Sequence, residues 1–181
     1  MTKRILTLSL FLLLALGLMA APLQAKPASS GLDADVLREL AQVRRATAQY
    51  QDVAAAEAAG YVVAKDDETE EPQCVPNMGY HYLLMGDFGL AIPGPGEGAP
   101  DALEPNILVY APRPNGSLQL VAVEYATFDD DAKLFGQDFA PGVKPVDGEL
   151  PAGPPFATLH AWVWNANPSG MFAPYNPKVS C

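Results

Sequence analysis

Positive charge is scarce in this chain: eleven Lys and Arg stand against twenty-one Asp and Glu, a net charge of −10. Such a field repels nucleic acid and anionic lipid headgroups and argues against both as partners. Cysteine is limited to Cys74 and Cys181. Without a Cys-x-x-Cys pair, the usual thiolate metal pattern is missing. There is no Gly-x-Ser-x-Gly elbow, no phosphate-binding glycine loop and no dinucleotide fingerprint, which removes the best-marked hydrolase, nucleotide and dehydrogenase chemistries. Beyond the N-terminus no apolar run reaches the roughly 20 residues of a spanning helix. Histidine occurs only twice, at His81 and His160.

What is present begins with an export signal. Lys3 and Arg4 precede an almost wholly apolar stretch over residues 5–19, followed by small residues that end in Ala25. This pattern predicts a signal peptide over residues 1–25 and a single exported domain over 26–181, with no stable membrane insertion after cleavage. Cleavage after Ala20 or Ala21 is an alternative. Loss of Lys3 and Arg4 leaves nine basic residues against the twenty-one acidic ones. Two cysteines in an exported chain predict a Cys74–Cys181 disulfide and a periplasmic or secreted location. Closure of so long a loop contributes up to roughly 4–5 kcal/mol.

Apolar spacing predicts one helix over residues 33–59. Val36, Leu40, Val43, Thr47, Tyr50, Ala54 and Glu57 share a mostly apolar face, and Gly60 suits the stop. A short strand over 61–64 follows, then five carboxylates within residues 66–71. Those carboxylates lack the spacing and glycine turn of a calcium loop and read as a solvated loop. Strands are expected over 78–85, 107–111, 118–127 and 156–164. Asn115-Gly116 has the chemistry of a hairpin turn between the second and third. Pro/Gly-rich connections over 86–106 and 129–155 are long enough to cover a site or remain without regular structure. A helix followed by strands predicts an α+β domain, with an N-terminal amphipathic helix packed on an antiparallel sheet and long Pro/Gly-rich loops.

The candidate site comes from polar residues inside apolar strands. With alternation in a strand, His81 faces with Gly79, Leu83 and Met85. Glu124 faces with Leu118, Leu120, Ala122 and Ala126, and His160 with Phe156, Thr158, Trp162 and Trp164. A Glu among apolar neighbours is costly to bury unless it is paired. His81, Glu124 and His160 are therefore expected to meet as a metal site, with a divalent transition metal as the candidate cofactor. Trp162 is expected to line a ligand pocket beside His160, with filling of the core the alternative for it and for Trp164. A general-base pair and a structural polar triad use the same residues. The expected role is binding of a metal ion or small molecule; a metal-dependent enzyme and a non-catalytic envelope or interaction protein are the alternatives. Tyr80, Tyr82 and Tyr125 fall on the opposite face. The tail after Trp164 is dense in turn formers and ends in Cys181, as suits a stapled segment lying across the sheet or closing over His160.

Six segments, Ala58-Ala-Gly-Tyr61, Met78-Gly-Tyr-His-Tyr82, Leu120-Val-Ala-Val-Glu-Tyr125, Leu134-Phe-Gly-Gln137, Leu159-His-Ala-Trp-Val-Trp164 and Asn167-Pro-Ser-Gly-Met-Phe172, occur in this order. Together they resemble a group of uncharacterised bacterial exported proteins. The resemblance spans nearly the whole chain after the signal and implies export and a single domain. It implies no activity and assigns no role to any residue.

Overall fold

The computed structural model describes residues 31–66, 68–86, 89–143 and 156–181. The signal peptide and its cleavage site lie outside the described residues, as does part of the second Pro/Gly-rich connection. Leu32–Cys181 is one compact unit of mixed architecture, mostly antiparallel sheet with few helices.

The helical segment is interrupted. Helix α1 is Ala34–Ala46, a 3-10 turn covers Ala48–Gln51, and α2 is Val53–Ala58. The expectation of one continuous helix fails at two residues that offer the backbone other partners. The Thr47 hydroxyl donates to the Val43 carbonyl at 2.8 Å, and the Asp52 side chain accepts from the Ala54 amide as an N-cap.

The strands are β1 (Tyr61–Val63), β2 (Cys74–Val75), β3 (Gly79–Gly86), β4 (Gly89–Leu90), β5 (Ile107–Pro112), β6 (Leu118–Thr127), β7 (Lys133–Leu134), β8 (Gln137–Asp138), β9 (Ala140–Val143) and β10 (Phe156–Ala161). The main sheet runs β1-β3-β5-β6-β10-β9, with β2 and β4 also paired to β3 and every pairing antiparallel. The β5–β6 turn forms at Asn115-Gly116, closed by Gly116 N–H to Arg113 C=O and Arg113 N–H to Ser117 C=O. The connection expected over 129–155 is more regular than its composition suggests. It carries the β7–β8 hairpin and the edge strand β9.

The two faces of the sheet differ. On one, Leu40, Val43 and Ala56 share an apolar cluster with Tyr82, Leu108, Tyr110, Leu120, Val123, Tyr125 and Leu159. On the other lie two smaller clusters. One is formed by Leu83, Ile107, Ala126 and Phe156 with Ala64; the other includes Val109, Ala122, Trp162 and Val179.

A register shift in β5–β6 corrects the facing expected for β6. Val109 pairs with Ala122 but Tyr110 pairs with Leu120, so Val121 is an extra residue. The bulge reverses alternation, and Leu118 and Leu120 join the helix-side cluster while Ala122 and Ala126 stay with Glu124's face. Trp164 is likewise not on His160's face. Strand β10 stops at Ala161, and Trp164 packs with the helix-side cluster. Its indole donates to the Thr47 hydroxyl at 3.1 Å, and the Arg44 guanidinium lies over its ring at 4.7 Å.

Candidate functional site

Strand β3 can begin where it does because Gly79 occupies a place no other residue fits. Its φ is +113°, and a Cβ there would lie 2.2 Å from the Tyr110 carbonyl oxygen. Two residues on is His81, paired with Val109 of β5. Glu124 of β6 pairs with Ile107 on one side and directly with His160 of β10 on the other. His160 is thus a cross-strand neighbour of Glu124, whereas His81 meets Glu124 from across β5.

The three expected residues converge. His81 Nε2 lies 3.5 Å from Glu124 Oε2, and His160 Nδ1 lies 3.4 Å from Glu124 Oε1. One ligand atom from each residue falls within 4.8 Å of the others, and all three residues are buried, with exposures of 6 %, 5 % and 2 % for His81, Glu124 and His160. The two His–Glu separations exceed the about 2.7–3.2 Å of a good N–H···O hydrogen bond. Each is close to the ~3.4 Å edge of a tetrahedron whose metal–ligand bonds are about 2.1 Å. The two histidines face opposite oxygens of Glu124, however, and one ligand atom from each residue spans up to 4.8 Å, so the trio must draw in to close on one ion. Two imidazole nitrogens and a carboxylate oxygen form a donor set suited to zinc and related borderline divalent ions.

Burial dominates the electrostatics. It holds the His160 imidazole down to about 4. It also lowers His81, with Glu124 opposing the shift and His160 adding to it. The Glu124 carboxyl is raised by burial, against the pull of His81 and of the Thr158 hydroxyl. Both rings are therefore neutral near pH 7, the form that ligates a metal. His81 Nδ1 and His160 Nε2, the ring nitrogens turned away from Glu124, have no hydrogen-bond partner among the described residues. The carbonyl or carboxylate that commonly orients a ligating imidazole is thus not supplied by them. Packing contributes to that role at His160, whose ring stacks on Trp162 at 5.9 Å and 14°.

Trp162 is 1 % exposed, and its indole donates to the Ala173 carbonyl at 2.6 Å. It borders His160 within the cluster that holds Val109, Ala122 and Val179. The tail crosses this region. Trp162 N–H donates to Met171 C=O, Asn176 N–H donates to Asn77 C=O, Val179 is buried, and the Cys74–Cys181 disulfide fastens the end. Two contributors escaped the sequence reading. Thr158 acts on Glu124, and its signal was its place two residues before His160 on the same face. Asn106 holds the β5 entrance to β6 through three bonds, with Ala91 C=O, Ala126 C=O and Ala126 N–H. An isolated Asn after a proline carries no such signal.

No protein-family model, curated protein or solved structure matches the chain.

Proposed function

We propose that the chain is an exported metal-binding protein in which His81, Glu124 and His160 hold one divalent transition-metal ion. In this reading residues 1–25 direct export to the periplasm or medium, and the N-terminal helix backs the sheet that carries the ligands. The observation that carries the proposal is the convergence of three buried ligand-type side chains, two imidazoles and a carboxylate, whose ligand atoms lie within 4.8 Å of one another. The disulfide supports an oxidising compartment, and no helix among the described residues is long and apolar enough to cross a membrane. The burial of all three ligands favours retention of an ion over turnover of a substrate, because a reaction would need an approach for the reactant as well.

Elemental analysis of protein purified without chelator tests the proposal, alongside His81→Ala and His160→Ala. About one ion per chain, lost in both variants, is the expected result. Metal-free protein whose variants only unfold at lower temperature would overturn it and make the triad a structural polar cluster.

A further inference from the structure

On the helix side of the sheet, away from the His/Glu site, a cleft of about 540 Å³ opens between the 3-10 turn, β1, β3 and the segment entering β5. This volume lies within the roughly 300–1,000 Å³ of small-molecule sites. Its lining includes Gln49, Tyr50, Tyr61, Leu84, Leu103 and Glu104. Tyr50 and Tyr61 meet edge to face at 5.2 Å. Leu103 is 44 % exposed, a large apolar side chain held at the surface.

Three tyrosine hydroxyls fix the backbone around this cleft. Tyr61 donates to Pro105 C=O at 2.6 Å, Tyr125 to Ala102 C=O at 2.7 Å and Tyr110 to Tyr50 C=O at 2.6 Å. The Asp101 carboxylate accepts from Leu103 N–H at 2.8 Å, and Glu104 N–H donates to Asp101 C=O. Leu103 and Glu104 are therefore presented by a braced turn, so little ordering is left to be done on binding.

Charge selects the occupant. Among the described residues Glu104 is the one carboxylate in the lining, no Lys, Arg or His lines the cleft, and Glu104 has no ion-pair partner. Arg45, next in sequence to the lining residue Ala46, turns back to bond Ala41 C=O. Within the cleft the Glu104 carboxylate already acts on the Tyr61 hydroxyl, and Asp52, Glu57 and Asp101 act likewise on Tyr110 and Tyr125 in the cluster behind it. We propose that this cleft binds a small organic cation with an apolar body, an amine or quaternary ammonium, whose charge is met by Glu104 and the tyrosine rings and whose hydrocarbon part lies on Leu84 and Leu103. Aromatic faces and a carboxylate are the usual partners of such cations.

The test is a titration of the isotopically labelled, disulfide-bonded protein with benzyltrimethylammonium, followed by amide chemical shifts. Phenylacetate serves as the probe of opposite charge, and Glu104→Gln, an exposed substitution that leaves the fold intact, as the variant. Saturable shifts confined to Gln49, Tyr50, Leu103, Glu104 and their neighbours are expected. Affinity should fall about fivefold in Glu104→Gln, and phenylacetate should leave these amides unmoved. No saturable shift, equal response to phenylacetate, or undiminished affinity in Glu104→Gln would each overturn the proposal. None of these outcomes depends on whether the His/Glu site holds a metal.

Discussion

Glu124 is the residue on which the site turns, because one of its carboxylate oxygens faces each histidine, at 3.5 and 3.4 Å. Glu124→Gln keeps the shape but removes the charge that balances a cation. We expect metal affinity to fall by at least about tenfold, measured by competition with a chromogenic chelator, while the far-ultraviolet circular dichroism is unchanged. Acid gives a second handle. An imidazole in the unfolded chain takes up its proton near pH 6.5, whereas folded His160 resists until about 4. In that window the unfolded state binds more protons, so stability falls as pH drops through it. His81 shifts in the same direction. Glu124 acts oppositely, since its raised carboxyl contributes stability at low pH that is lost as pH rises. Two histidines against one carboxyl set the net sign. Metal-stripped protein should melt at a lower temperature near pH 5 than near pH 7, and His160→Gln should show a smaller difference. An equal difference in the variant would show that His160 is not the group responsible. These three residues were legible in the sequence because each interrupts an apolar strand. The reach of His81 across β5 was not legible, since strand order does not follow from alternation.

At the level of elements, the sequence misled wherever a local interaction overrode periodicity. The apolar spacing from Val36 to Ala54 runs straight through Thr47 and Asp52, yet both hydroxyl and carboxylate bond the backbone and divide the helix. Alternation in β6 fails at Val121 because one extra residue in a strand leaves no mark on composition. The hairpin at Asn115-Gly116 was legible because its turn chemistry is local. Thr47 shows how the helix break and the strand end are coupled. Its side-chain oxygen donates to Val43 and accepts from the indole of Trp164, at full burial. Thr47→Val preserves volume but removes both bonds and strands the indole N–H. The expected cost is about 1–3 kcal/mol in urea denaturation. The double variant Thr47→Val/Trp164→Phe should recover part of that loss, because the orphaned donor is gone as well. A Thr47→Val protein as stable as the wild type would mean that the break is set by other contacts.

For the whole molecule, the disulfide joins the chain end to the hairpin that leads into His81's strand, across a sequence separation of 107 residues. Its contribution to stability and its effect on the site can be separated. Loop closure of this length is worth up to about 4–5 kcal/mol, chiefly through the unfolded chain. The Cys74→Ser/Cys181→Ser variant should therefore lose stability of that order in urea denaturation. The same bridge anchors the tail that buries Val179 against Val109 and Trp162, next to His160. With the anchor gone, local opening of the tail costs less than global unfolding, and a bound ion should pass more quickly to excess chelator under conditions where the variant is still folded. Stopped-flow transfer measured well below the variant's unfolding midpoint distinguishes the two effects. Faster transfer from folded protein assigns the tail as the route by which the buried ligands are reached. Equal transfer would exclude the tail as the route and would reduce the disulfide to a restraint on the unfolded chain.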